Sequence, residues 1–111
     1  MKNTFELEHV GINTDNAGEA EQLALLLCKL FNLEPRHGQK SEFAGNYFEC
    51  MKSPFLGKNG HIAVGTTSVV RAKAYLESQG FEFDESTAKY KGEKLNAIYL
   101  KDEIGGFAIH L

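Results

Sequence analysis

A short pattern that occurs twice in the chain constrains the fold more than any other feature. Segments 9–14, HVGINT, and 61–66, HIAVGT, share the order His, β-branched residue, small residue, β-branched residue, any residue, Thr. Each segment is followed by one helical pattern and then by short strand patterns that end in an aromatic-rich stretch. Because the order of elements repeats together with the residues, the sequence predicts an internal duplication of a βαβββ unit.

Apolar periodicity predicts a strand and then a helix in each half of the chain. Residues 5–12 alternate as in a strand, and residues 19–31 carry leucines at helical spacing, with Pro35 expected to end that helix. In the second half, GHIAVGT is typical of a strand, and a helix is expected after an N-cap at Thr67 or Ser68. Further strands are expected in NYFECM, FEFDE, LNAIYL and GFAIHL.

The length of 111 residues is that of one domain. Residues 54–59 contain Pro, Gly and Asn and are expected to form a linker. The linker divides the domain into module one, about residues 1–53, and module two, about residues 60–111. The predicted fold class is therefore α+β, with two βαβββ modules forming a cupped mixed sheet.

Charge and hydropathy limit the partners of the chain. Twelve Lys and Arg against fifteen Asp and Glu give a formal net charge of -3, which argues against a nucleic-acid partner. The first ten residues lack the apolar run of a signal peptide, and the longest apolar stretch, residues 23–28, is too short to cross a membrane. Both cysteines lie in apolar segments, as free thiols do. We expect a cytoplasmic protein with no membrane partner.

Four strands each carry one side chain that can bind a metal ion, on the face opposite their apolar residues. In the first strand, alternation places His9, Leu7 and Gly11 on one face and Val10 and Ile12 on the other. The same alternation separates one polar side chain from the apolar face in three later strands: Glu49, His61 and His110.

Small residues share the faces of these polar groups and leave room for a cavity: Gly11, Ala63, Gly65 and Ala108. If a duplicated sheet curls so that its halves face each other, the three imidazoles and the carboxylate converge. Such a donor set suits a borderline divalent ion, Zn²⁺, Ni²⁺, Co²⁺, Fe²⁺ or Mn²⁺. A single His on a strand is more often an ordinary packed residue, so the prediction depends on the four positions together. Glu49 is the only carboxylate of the set and the candidate catalytic base.

The layout resembles the vicinal oxygen chelate superfamily, the group of glyoxalase I, bleomycin-resistance proteins and extradiol dioxygenases. The motifs HVGI, YFECM, GHIAV and GGFAIHL carry the resemblance, which covers essentially the whole chain. It implies a pair of βαβββ modules around a metal, with ligands from the first and last strand of each module: His9, Glu49, His61 and His110. Glyoxalase-like members usually end with Glu where this chain has His110.

Longer segments are similar to a glyoxalase-like domain that some bacteria fuse behind a 2-keto-3-deoxy-6-phosphogluconate or 2-keto-4-hydroxyglutarate aldolase. These segments are YFECMKSPFLGKNGHIAVGT, AKAYLESQGFEFDESTAKY and LKDEIGGFAIHL. The similarity implies a sugar-acid aldolase as partner.

Unpaired sheet edges, together with the dimers that related proteins form, also predict a homodimer.

Three functions stay open. The first is a metal-dependent lyase or isomerase that acts on a small 2-oxo or vicinal-oxygen substrate. The second is a non-catalytic binding or accessory module associated with a sugar-acid aldolase, and an iron-dependent dioxygenase ranks below both. Under the second hypothesis, a cluster of basic residues would bind a phosphate or carboxylate, although this cluster is more readily explained as a solvated hairpin: Lys89, Lys91, Lys94 and Arg71.

The remaining side chains have ordinary structural explanations. His37 is expected at the surface and Cys50 in the core. Four aromatic residues could wall a pocket, although aromatics at strand spacing more often pack in a core: Phe43, Tyr47, Phe55 and Tyr99.

Overall fold

A computed structural model describes residues 4–111 as an α+β fold with one mixed sheet of eight strands and two helices. A strand, a helix and three strands follow one another, and the same succession then occurs again. The elements are β1 (Phe5–Asn13), α1 (Ala17–Phe31), β2 (Pro35–His37), β3 (Ser41–Ala44), β4 (Phe48–Met51), β5 (Gly60–Thr66), α2 (Val69–Ser78), β6 (Phe83–Lys91), β7 (Lys94–Leu100) and β8 (Phe107–His110).

The strand order in the sheet is β2-β3-β4-β1-β5-β8-β7-β6. β1 and β5 pair antiparallel at the centre, while β1 pairs parallel with β4 and β5 pairs parallel with β8. The other neighbours pair antiparallel. The four strands that carry the predicted metal ligands, β4, β1, β5 and β8, are therefore adjacent in the middle of the sheet.

Asparagines cap both ends of helix α1. The side chain of Asn16 accepts a hydrogen bond of 2.9 Å from the Glu19 N–H, as an N-cap does. The helix ends at Phe31, because Asn32 adopts the left-handed conformation at φ 56° and its N–H bonds to a carbonyl of the last turn. Pro35 was expected to end this helix; that prediction is wrong, since Pro35 is the first residue of β2.

Helix α2 follows Ser68, whose hydroxyl oxygen accepts a hydrogen bond of 3.2 Å from the Arg71 N–H. Of the two N-caps that the sequence allowed, Ser68 is therefore the one used. Within residues 4–111, neither helix has the length and apolar character needed to cross a membrane.

Each helix covers its own part of the core. Ala20 and Ala24 of α1 pack on Cys50, which is fully buried as the sequence predicted. Burial raises the pKa of the Cys50 thiol to about 11, so this sulfur is an inert part of the core. The larger cluster lies beneath α2 and includes Ala72, Phe83, Leu95, Ile98 and Leu111.

A β-bulge interrupts β1 just before the candidate site. Leu7 pairs with Val64, and His9 pairs with Ala63, the next residue of β5. Because consecutive residues of a strand point to opposite faces, Leu7 and His9 lie on opposite faces of the sheet. The prediction that they share a face is wrong, whereas the alternation from His9 onward remains as expected.

Candidate metal centre

Glycine separates two of the predicted ligands in one row across the sheet. Gly11 of β1 pairs with Glu49 of β4 on one side and with His61 of β5 on the other. A Cβ at residue 11 would come within 2.6 Å of the His61 Nε2 and still closer to Nδ1 and Cε1. The imidazole of His61 therefore occupies the space that a side chain at this position would need.

A second row repeats this arrangement with an alanine. Ala63 of β5 pairs with His9 of β1 on one side and with His110 of β8 on the other. Tyr99 of β7 pairs with His110, and their ring centroids are 4.9 Å apart. Side chains that can bind a metal thus alternate with small residues along both rows, which lets the polar groups lean towards one another.

The structure brings all four predicted ligands together. Coordinating nitrogens of His9, His61 and His110 all lie within 4.8 Å of one another. The Nε2 atoms of His9 and His61 are 3.2 Å apart. Oε1 of Glu49 lies 3.4 Å from Nε2 of His9 and 3.2 Å from Nε2 of His61. Two nitrogens and one oxygen therefore form a nearly equilateral triangle.

The triangle has the dimensions of a coordination sphere. Ligands at about 2.0–2.1 Å from a tetrahedral Zn²⁺ ion lie about 3.3–3.4 Å from one another. The three separations on His9, His61 and Glu49 match this value. These residues, with His110 beside them, could therefore hold a metal ion.

Glu49 is held as an ionised carboxylate. Hydrogen bonds from His61 and His9 are the largest causes that keep its pKa well below the usual value, and they outweigh the opposing effect of burial. Its second oxygen, Oε2, accepts a hydrogen bond of 2.8 Å from Ser41, a residue only 3% exposed. Ser41 thus leaves Oε1 to face the imidazoles, and sequence reasoning missed this residue because it lies in a polar stretch.

His110 and His61, the two histidines of the second half, differ in the hydrogen bonding of their Nδ1 atoms. Burial is the main cause that lowers the pKa of His110, which favours its neutral form. Its Nδ1 lies 3.2 Å from the carbonyl oxygen of Leu111, and a carbonyl only accepts, so Nδ1 carries the proton and Nε2 the lone pair. His61 is 4% exposed, and its Nδ1 has no hydrogen-bond partner within residues 4–111.

A cavity of about 770 Å³ opens beside the four side chains. Phe55 and Tyr99, two of the four aromatics proposed as pocket walls, line it. Phe43 and Tyr47 do not: the guanidinium of Arg36 lies 3.9 Å from the ring centroid of Phe43, and Tyr47 is exposed. The cavity is large enough for a small organic molecule.

The basic residues that sequence reasoning considered for an anion lie away from this cavity. Lys89 and Lys91 are exposed on β6 next to the turn that leads to β7, which is the solvated hairpin that was expected. Lys94 lines a different cavity of about 450 Å³. Two other lysines, Lys40 and Lys52, line the cavity of the candidate metal centre, and no sequence pattern singled them out.

A second group of ionisable residues lies at the edge of the sheet. The His37 side chain is 77% exposed, as predicted, but its Nδ1 donates a hydrogen bond of 2.6 Å to Oε1 of Glu42. Glu42 is buried, and Glu21 lies close enough that these three residues could also hold an ion. Because the His37 ring and the Gly38 N–H already satisfy the two oxygens of Glu42, the group is explained as a hydrogen-bonded contact between neighbouring strands.

Comparison with known proteins supports the fold and leaves the function open. No family model matches the chain, and no curated protein matches it. The chain is similar to the solved structure of a hypothetical protein from Bacillus halodurans, with a TM-score of 0.61 and 17% sequence identity. The alignment covers 96% of this chain and 92% of that chain. At this identity the likeness extends to the α+β fold alone.

Proposed function

We propose that this chain is a divalent-metal-binding protein of the vicinal oxygen chelate type, and that it acts as a lyase or isomerase on a small 2-oxo or vicinal-oxygen substrate. The observation that carries the proposal is the triangle of His9 Nε2, His61 Nε2 and Glu49 Oε1, with His110 beside it. Three imidazoles and one carboxylate suit Zn²⁺, Ni²⁺, Co²⁺, Fe²⁺ or Mn²⁺.

The proposal includes the two-module arrangement, with residues 1–53 and 60–111 as modules and 54–59 as linker. Two observations support it. The order of one strand, one helix and three strands occurs in both halves. In each half, the first strand also pairs parallel with the last, as β1 does with β4 and β5 with β8.

A bound ion would supply positive charge that polarises two adjacent substrate oxygens and stabilises a developing enolate. The chain itself supplies the shape of the site. Ser41 orients Glu49, and Gly11 admits the ring of His61. Phe55 and Tyr99 line the cavity in which a substrate would lie. Glu49 is the only carboxylate among the described lining residues, so it is the candidate to accept a proton.

A binding or accessory module without turnover, working with a sugar-acid aldolase, is the second candidate. The contacts of Glu49 favour this second candidate. The carboxylate faces two imidazoles through Oε1 and accepts a hydrogen bond from Ser41 through Oε2. A carboxylate engaged at both oxygens is a better ligand than base, since it must leave these partners before it takes a proton.

Metal analysis of the purified protein tests the proposal without knowledge of the substrate. Wild-type protein exposed to Zn²⁺ or Co²⁺ and then desalted should retain about one equivalent, and His61→Ala less than about a tenth. His37→Ala, which changes a histidine outside the triangle, should retain as much metal as wild type. Less than about a tenth of an equivalent in folded wild-type protein would refute the metal site.

Proton exchange then separates the enzyme from the module. Metal-loaded protein is incubated with 2-oxobutanoate in D₂O, and loss of the C3 proton signals is followed by NMR. Exchange that is absent in His61→Ala supports a lyase or isomerase. Binding without exchange supports the module, and ligand-dependent oxygen consumption by the iron-loaded protein would instead support the dioxygenase.

A further inference from the structure

We propose that Asn13 is a positioning residue that holds the linker, residues 54–59, against the cavity, and that Phe55 thereby limits access to the candidate metal centre. This inference rests on the proposed metal site and adds a control of entry and exit to it. The linker lies between β4 and β5, two of the strands that carry the candidate ligands.

Phe55 lies at the opening of the cavity. Five consecutive residues, 51–55, line the cavity, so this stretch of chain forms one of its walls. Phe55 is nevertheless 56% exposed, whereas His61, which lines the same cavity, is 4% exposed. A side chain that lines a cavity and also faces solvent marks the boundary between the two. The phenyl ring therefore lies where the cavity opens to solvent.

The side-chain amide of Asn13 binds the linker through both its oxygen and its nitrogen. Its Oδ1 accepts a hydrogen bond of 3.2 Å from the Phe55 N–H, and its Nδ2 donates one of 2.9 Å to the Gly57 carbonyl. Because Asn13 follows His9 and Gly11 in the alternation of β1, its side chain lies on the same face of the sheet as the His9 imidazole. A ligand-bearing strand thus holds the linker directly.

The stretch of chain around Phe55 depends on these two bonds. Among the described residues, residues 53–57 make no backbone–backbone hydrogen bond. The end of the linker next to β5 is held independently, because the Asn59 N–H donates a hydrogen bond of 2.7 Å to the Gly106 carbonyl. Without the Asn13 amide, the part of the linker that carries Phe55 would therefore be the part that is free to move away from the cavity.

The energy of the two hydrogen bonds sets the size of the expected effect. A single hydrogen bond contributes up to about a factor of ten to an equilibrium, so loss of both should raise the open fraction of the linker at least about tenfold. An ion enters and leaves through the same opening, so both rates should rise together. The affinity, which depends on the ligands themselves, should change little.

Metal exchange rates test the inference. Zn²⁺-loaded protein of measured metal content is mixed with the chelator 4-(2-pyridylazo)resorcinol, and uptake of Zn²⁺ by the metal-free protein is followed separately. Asn13→Ala should release and take up Zn²⁺ at least about tenfold faster than wild type, with an affinity within about threefold. Phe55→Ala, which removes the ring itself, should be at least as fast. Asn96→Ala and Phe81→Ala, at exposed residues that do not line this cavity, should keep the wild-type rates.

A double variant shows whether Asn13 acts through Phe55. In Asn13→Ala/Phe55→Ala the rates should stay within about twofold of those of Phe55→Ala, because no ring remains to be held at the opening. The visible absorption spectrum of Co²⁺-loaded Asn13→Ala should match that of wild type, since the ligands keep their places. Effects that multiply in the double variant, a shifted Co²⁺ spectrum, or wild-type rates in folded Asn13→Ala overturn this inference alone. Failure of wild-type protein to bind metal overturns the proposed function.

Discussion

At the scale of single residues, the candidate centre depends on Gly11, which contributes no side chain of its own. The His61 ring fills the space where a Cβ of residue 11 would lie. Gly11→Ala is therefore expected to displace His61 and to reduce the retained metal to less than about a tenth of an equivalent, because a displaced ring no longer completes the ligand set. Metal analysis and circular dichroism of the same sample check the loss and the fold.

Gly18→Ala is the control for the Gly11→Ala substitution. Its new Cβ would meet the Asn16 Oδ1 at 3.3 Å and lies on α1, away from the imidazoles. Metal content should stay at the wild-type level. Full metal occupancy in folded Gly11→Ala would show that His61 is not a ligand in the arrangement described above.

Ser41 acts through Glu49. Its hydroxyl donates to Oε2 and turns Oε1 towards the imidazoles, so Ser41→Ala should free the carboxylate to rotate. We expect metal affinity to fall about 10–100-fold, the usual cost of losing a partner of a metal ligand. Competition with a chromophoric chelator measures this affinity. Ser86→Ala, at an exposed serine of β6, should leave it unchanged, and an unchanged affinity in Ser41→Ala would refute the positioning role.

At the scale of elements, the short edge strand β2 is joined to β3 by a buried charge. Burial raises the pKa of Glu42, but hydrogen bonds from His37 and the Gly38 N–H, with nearby positive charge, bring it below its ordinary value of 4.5. A lowered folded-state pKa stabilises the protein above pH 4.5, and this stabilisation is lost as the pH falls further.

Glu42→Gln should therefore lower the free energy of unfolding at neutral pH by about 1–3 kcal/mol, and the difference from wild type should shrink below pH 4.5. Urea unfolding at neutral pH and at pH about 3.5 measures it. Glu82→Gln, at an exposed surface ion pair, should change stability little at either pH. A difference that is equal at both pH values would show that the ionised form of Glu42 is not what stabilises β2.

The element order was predictable because the strand and helix periods are visible in the residues. His9 and His61 start two matching patterns, and both lie on central strands, where alternation decides which side chains face the same way. Where a strand departs from strict alternation, the predicted face of its side chains is wrong. The bulge in β1 moves Leu7 to the other face, and no residue type in that segment indicates that the strand contains an extra residue there.

Lys40 and Lys52 show the other limit of sequence reasoning. They lie just outside β3 and β4, so strand parity does not say where their side chains point. Their pairing follows from the register of two short strands in a polar segment, which the sequence leaves open. Glu49, by contrast, was identified because it alternates within a strand between Phe48 and Cys50, which pack towards α1.

At the scale of the whole molecule, the candidate centre joins the two halves of the chain. His9 and Glu49 come from β1 and β4, while His61 and His110 come from β5 and β8. An ion bound by residues from both halves would connect the two halves, a connection that the unfolded chain lacks. The binding free energy of such an ion would therefore add to the stability of the entire fold.

Removal of the ion is expected to destabilise the protein as one unit. At a free ion concentration of about a thousand times Kd, binding to the folded state contributes about 4 kcal/mol. For a domain of this size the loss corresponds to a fall in Tm of more than about 10 °C, measured by differential scanning calorimetry with and without chelator. His37→Ala should show the same fall. His61→Ala, which lacks one corner of the triangle, should give the same Tm in both conditions. Equal Tm values for loaded and chelated wild-type protein would mean that the ion does not hold the halves together.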